Sequence, residues 1–184
     1  MRICVCVVSM MAKKTKYYKK FDKSYPVTTK KFQTILGFYL FECPTPGTSV
    51  RAKTFHELGW KGKNQFAKLK SEMLKNATPS LKLHYHPCKK DELKNRFDEV
   101  NTVKPVDEYC VFLKHDEKTV MQSLFSAIRN AFAHGSFGIE TFQGIKVYFF
   151  SNYNEYLKAE IVLQEDTLLN WIEILKSGYT KYNK

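Results

Sequence analysis

The sequence has no apolar stretch long enough to span a bilayer. Its longest, ICVCVVSMMA near the start, runs about ten residues where a transmembrane helix needs roughly 20. A small-x-small cleavage site is missing too, because Met10 stands two before Ala12, so the run does not read as a cleaved secretory leader. The first ten residues are instead an extension ahead of a start at Met11, or a short strand. The five cysteines, Cys4, Cys6, Cys43, Cys88 and Cys110, are odd in number and irregularly spaced, unlike a secreted disulfide framework, so a cytoplasmic protein is expected. Cys4-Val5-Cys6 lacks the two-residue spacer of a redox or zinc-knuckle motif. The absence of GxxxxGKS/T, HExxH and GxSxG disfavours a P-loop nucleotidase, a zincin and an α/β-hydrolase. No internal repeat is present.

Negative charge is also scarce. Lysine and arginine number 30 against 18 acidic residues, a formal net charge of +12, which attracts polyanions whatever the fold. RNA, DNA and an anionic membrane surface are the candidate polyanions that charge alone leaves open; RNA is the expected partner, and no membrane partner is expected. Eight of the lysines lie between Lys13 and Lys31, interleaved with Tyr17, Tyr18, Phe21 and Tyr25. Lys13, Lys14, Lys16, Lys19 and Lys20 are therefore candidate RNA-binding residues, since phosphate contacts and stacking rings are what single-strand binding requires. The alternative is a solvated basic arm, residues 1–29, leading into a domain over residues 30–184. Hydrophobic residues at 43% are ample for one core in a chain of 184 residues.

Helical spacing of apolar residues predicts helices over residues 30–42, 64–76, 88–103 and 116–134, and a fifth in QEDTLLNWIEILKSG. GIKVYFF and LKAEIVL predict a β-hairpin. The expected fold is mainly α, a four- to five-helix bundle with one small hairpin near the C-terminus.

The helix ending in SAIRNAFAHGSF carries the chemistry. Val120, Leu124, Ala127, Ile128 and Ala131 make an apolar stripe, while Gln122, Ser126, Arg129, Asn130 and His134 fall opposite, and Gly135 follows as a C-cap glycine would. Asn130 and His134, four apart, share a face. A guanidinium suits a phosphate oxygen pair, and a histidine with an ordinary pKa near 6.5 moves protons at neutral pH. Arg129, Asn130 and His134 are thus candidate catalytic residues for RNA cleavage by its own 2′-hydroxyl, a scheme that calls for no cofactor or metal. Spacing alone carries little weight. Chance gives a chain of this composition about a third of such an arginine–histidine pairing, and Arg51 to His56, RAKTFH, repeats it in a Pro- and Gly-rich loop. A plainer reading, a cationic helix C-terminus, is physically sound as well.

Arg129-Asn130, three residues, then His134-Gly135, with a β-rich tail and a leucine-rich final helix, resembles the HEPN family of small helical ribonucleases. The resemblance is tight over about fifteen residues and one of layout from about Lys30 onward. It implies a metal-independent endoribonuclease that dimerises, Arg129 at the scissile phosphate and His134 as general acid or base in a cleft shared by two protomers, with Asn130 orienting them. It also implies a role in toxin–antitoxin or anti-phage defence, with an antitoxin partner. Some members of the family bind RNA or a partner without cutting.

His84, His86 and Cys88 in LHYHPCKK carry ligand-type side chains at alternating positions, as on a strand-borne zinc site, but a fourth ligand with clear spacing is missing. They are read as ordinary structural residues.

Overall fold

A computed structural model describes residues 29–45, 47–104 and 106–182. Cys4, Cys6 and the lysines 13, 14, 16, 19 and 20 lie outside these residues, as does nearly all of the expected basic arm. At its centre is a mixed five-stranded sheet of β1 (Tyr85–Cys88), β2 (Tyr109–Leu113), β3 (Phe137–Phe142), β4 (Ile145–Asn154) and β5 (Tyr156–Gln164), in the order β1-β2-β5-β4-β3. Only β1 and β2 are parallel; the other pairs are antiparallel.

The mainly α bundle is thereby corrected to an α/β fold. The hairpin expected from GIKVYFF and LKAEIVL is present as β4 and β5, with Tyr148 opposite Leu163, but it is the middle of a sheet rather than an appendage. The missing strands have physical reasons. β2, YCVFL, is apolar on both faces, and a short continuous apolar run does not separate a buried strand from a buried helix. β1 contains Pro87, which a strand tolerates only at an edge, where β1 lies.

Strand alternation sorts the core into two layers. Cys110 and Phe112 of β2, Tyr148 and Phe150 of β4, and Ala159, Ile161 and Leu163 of β5 face one large cluster. Tyr109, Val111, Val147, Phe149 and Val162 face the other way, onto a smaller one. The large side is covered by α1 (Lys30–Gly37), which continues as one π turn over Phe38–Glu42, and by α2 (Lys63–Lys75), α3 (Pro79–Leu83), α5 (Val120–Ala133) and α6 (Glu165–Ser177). The small side has α4 (Leu93–Val100), whose Leu93 and Val100 pack there with Cys88. The expected helix over residues 88–103 is therefore shortened to eight residues, its first position being the end of β1.

The final helix gathers the large layer. Trp171 Nε1 donates to the Met73 carbonyl (2.9 Å), Trp60 Nε1 to that of Leu175 (3.0 Å), and the Tyr39 hydroxyl to that of Leu168 (3.1 Å). Each aromatic thus buries its body and satisfies its polar end. Gly59 and Gly178, both at positive φ, meet with 3.2 Å between the Cα of Gly178 and the place a Cβ on Gly59 would occupy, so a side chain at either would separate the loop after Phe55 from the end of α6. Cys43, Cys88 and Cys110 are free and buried. No helix among the described residues is long and apolar enough to cross a membrane.

Glu108, fully buried, joins two helix starts: its carboxylate accepts from the backbone N–H of Thr78, before α3, and of Gln164, before α6, each at 2.8 Å. Glu108→Ala strips acceptors from both part-buried amides, and we expect it to lower unfolding free energy by about 2–5 kcal/mol in urea titration. Glu108→Gln, which keeps one acceptor oxygen, should lose less; an unchanged midpoint for Glu108→Ala would contradict the bridging role.

Candidate functional site

The helix that carries Arg129, Asn130 and His134 begins later than its periodicity suggests because of its cap. Thr119 and Gln122 form a reciprocal capping box, the Thr119 hydroxyl accepting from Gln122 N–H (3.1 Å) and the Gln122 side chain from Thr119 N–H (2.8 Å). Nine residues of α5 are buried, Leu124, Phe125, Ile128 and Ala131 completely. At about 1.5–3 kcal/mol for each large side chain, this burial fixes the rotation of the helix. Its other end is closed by Gly135 at φ +63°, where Ser136 N–H reaches the Ala131 carbonyl (2.8 Å) and Gly135 N–H that of Phe132 (3.2 Å). This is the glycine cap expected from the sequence, and it leaves His134 exposed at the helix end.

Beside that end lies a cleft of about 220 Å³, between α5, the far ends of β2 and β4 and the start of β5. Asn130 and His134 line it, together with His115, Ser126, Asn152 and Lys158. The described lining includes no carboxylate. Lys118 stands at its margin, its ammonium 3.2 Å from the Ser126 hydroxyl. Asn152 Nδ2 donates to the Ala127 carbonyl (2.8 Å), which ties the last turns of α5 to β4.

Arg129 is not part of this lining. Its Nη2 donates to the Thr48 carbonyl (3.2 Å) and its Nη1 to Asn130 Oδ1 (3.3 Å). The structure therefore brings Asn130 and His134 to one cleft and turns Arg129 toward the loop after the π turn. Its link to the cleft is indirect: by engaging Oδ1 it leaves the Nδ2 of Asn130 as the donor available to a ligand. That loop also carries Arg51 and His56, both exposed and outside the cleft.

His115 was not legible as a site residue. It stands two positions past β2 with no periodicity to mark it, and reaches the cleft because Phe112 pairs with Ala159, which sets the end of β2 beside Lys158. Ser123, itself buried, accepts from the backbone N–H of His115 (3.2 Å) and anchors the turn. Partial burial, then the charges of Lys118 and Lys158, hold the His115 imidazole below its ordinary pKa, with Asp116 opposing. His84 and His86 do approach one another, on the opposite side of the sheet, while Cys88 turns into the apolar cluster there.

No protein-family model matches the chain, and neither does any curated protein or solved structure. The helical bundle that the HEPN resemblance implied is replaced by the five-stranded sheet.

In an NMR titration, His115 should take up its proton below pH 6.5, the ordinary histidine value. Lys158→Ala should move that midpoint upward, because one of the charges opposing the imidazolium is removed. A midpoint at or above 6.5 in the parent protein would contradict this account of the cleft's electrostatics.

Proposed function

We propose that the chain is a metal-independent endoribonuclease whose reaction takes place in the cleft at the C-terminal end of α5. The observation that carries this reading is two histidines and a lysine converging, with amide and hydroxyl donors, on a cleft whose described lining has no carboxylate. Such a lining favours a phosphodiester, and two imidazoles supply both proton transfers of RNA self-cleavage.

His115, biased toward its neutral form, takes the proton from the 2′-hydroxyl as that oxygen attacks the adjacent phosphorus. The bond from phosphorus to the 5′-oxygen breaks, and His134 gives that oxygen its proton. The products are a 2′,3′-cyclic phosphate and a 5′-hydroxyl. Lys158 and the Asn130 amide offset charge on the non-bridging oxygens, while Arg129 acts as a positioning residue through Asn130. Because both histidines belong to one chain, the chemistry does not depend on a second protomer to complete the site, as the family resemblance implied. Lys13, Lys14, Lys16, Lys19 and Lys20 would add phosphate contacts along the strand.

A second reading, a module that binds RNA or a protein partner without cutting, is favoured by one observation: the guanidinium of Arg129 is committed to Thr48 and Asn130. One assay separates the two. With single-stranded RNA in excess EDTA, the parent protein should yield cyclic phosphate ends. His134→Ala and His115→Ala should each slow cleavage by about 10²–10⁴-fold, and Arg129→Ala by less. Cleavage that survives both histidine substitutions, or that stops in EDTA, would overturn the proposal. RNA binding without cleavage by the parent protein would establish the second reading.

A further inference from the structure

On the sheet face away from the cleft, a second group of side chains converges. His84 caps α3 in a bend, and His86 lies two residues on in β1, where strand alternation points it toward the layer that holds α4. Glu99 comes down from α4 to meet them. One ligand atom from each of the three lies within 4.8 Å of the others. The two rings stand edge to face, 6.1 Å between centroids.

Three features separate this group from an ordinary surface ion pair. First, His84 Nδ1 and His86 Nε2 are buried atoms with no hydrogen-bond partner among the described residues. Glu99 Oε1 is 3.7 Å from His86 Nε2, inside ion-pair range but beyond a hydrogen bond. Buried polar nitrogens without a protein partner are uncommon, and a bound ion is one of the few things that satisfies two of them together. Second, the other carboxylate oxygen of Glu99 accepts from Arg96 Nη1 at 2.6 Å, a bond that occupies that oxygen and leaves Oε1 turned to the histidines. Metal-binding carboxylates are commonly oriented by such an outer partner. Third, the backbone of His84 is tied to β2, its carbonyl accepting from Cys110 N–H at 2.9 Å, while Glu99, on a helix surface, is able to close.

We propose that His84, His86 and Glu99 bind a divalent metal ion of the zinc class. Two imidazoles and one carboxylate suit borderline ions such as Zn²⁺ rather than Mg²⁺ or Ca²⁺, which prefer oxygen alone. Zinc–ligand bonds of about 2.0–2.1 Å put ligand atoms roughly 3.3 Å apart, so the widest pair, within 4.8 Å, must close by up to about 1.5 Å on binding. Side-chain rotation at the exposed Glu99 permits this. Three protein ligands leave a position for water, the pattern of a catalytic rather than a closed structural site. Cys88 is not a ligand here: it is buried with Leu93 and Val100, and its thiol lies 3.3 Å from the His86 carbonyl.

Because the sheet separates this group from the cleft beside α5, metal binding here and RNA cleavage there succeed or fail independently. Equilibrium dialysis of the full chain against Zn²⁺ under reducing conditions, with bound metal counted by mass spectrometry, tests the site. The expected result is one ion per chain, weakened about tenfold or more by each of His84→Ala, His86→Ala and Glu99→Gln, and unchanged by Cys88→Ser or His134→Ala. Glu99→Gln replaces an exposed side chain and should unfold at the parent temperature without metal, which separates lost binding from lost fold. With Co²⁺ in place of zinc, visible bands without thiolate charge transfer are expected. No stoichiometric binding, binding retained in His86→Ala and Glu99→Gln, or binding lost in Cys88→Ser would overturn the proposal.

Discussion

The sheet is buried on both faces, and the rest of the molecule follows from that requirement. β2 and β5 lie inside the sheet with apolar side chains pointing both ways, so helices must cover both sides. The larger side recruits most of the chain, from Phe32 to Leu175. The smaller side has a single helix of eight residues among the described elements that pack there. Each candidate site lies where one of these covering helices meets polar residues that the sheet cannot bury.

Burying nine of fourteen residues sets the rotation of α5, and its polar groups then gather in the last turns, where the glycine cap stops it beside the ends of β2 and β4. The helix does not build the cleft alone. His115 and Lys158 come from strand ends that are distant in sequence and are brought together by antiparallel pairing. The charge of Lys158 and the absence of carboxylates from the described lining make the cleft suited to a phosphate.

Local features were legible in the sequence and non-local ones were not. The helix of residues 64–76 lies within one residue of α2, and Gly135 terminates α5, because periodicity and capping are encoded within a few neighbours. The β4–β5 hairpin was legible from alternation. β2 was not, because a strand buried on both faces loses the alternation that identifies strands. The same limit applied to the site. Asn130 and His134 share a helix face and could be paired from spacing, whereas nothing near His115 indicates that it will meet them. Arg129, adjacent in sequence, has a stem long enough to reach the same surface, but a loop carbonyl at Thr48 holds its guanidinium to one side. Likewise His84 and His86 stand two apart in the sequence, whereas Glu99, which approaches them, lies inside an amphipathic helix pattern, and Cys88 turns into the apolar cluster instead.

The central claim is that single-stranded RNA is held in the cleft at the end of α5. It is tested most directly by mapping backbone amide shifts in the NMR spectrum as a short RNA analogue, 2′-O-methylated so that it resists cleavage, is added at moderate salt. The account predicts the largest shifts among residues 113–118, 126–136 and 152–159, which form and flank the cleft. Shifts confined to α4 and β1 on the opposite face, or no saturable shifts among the cleft residues, would contradict it.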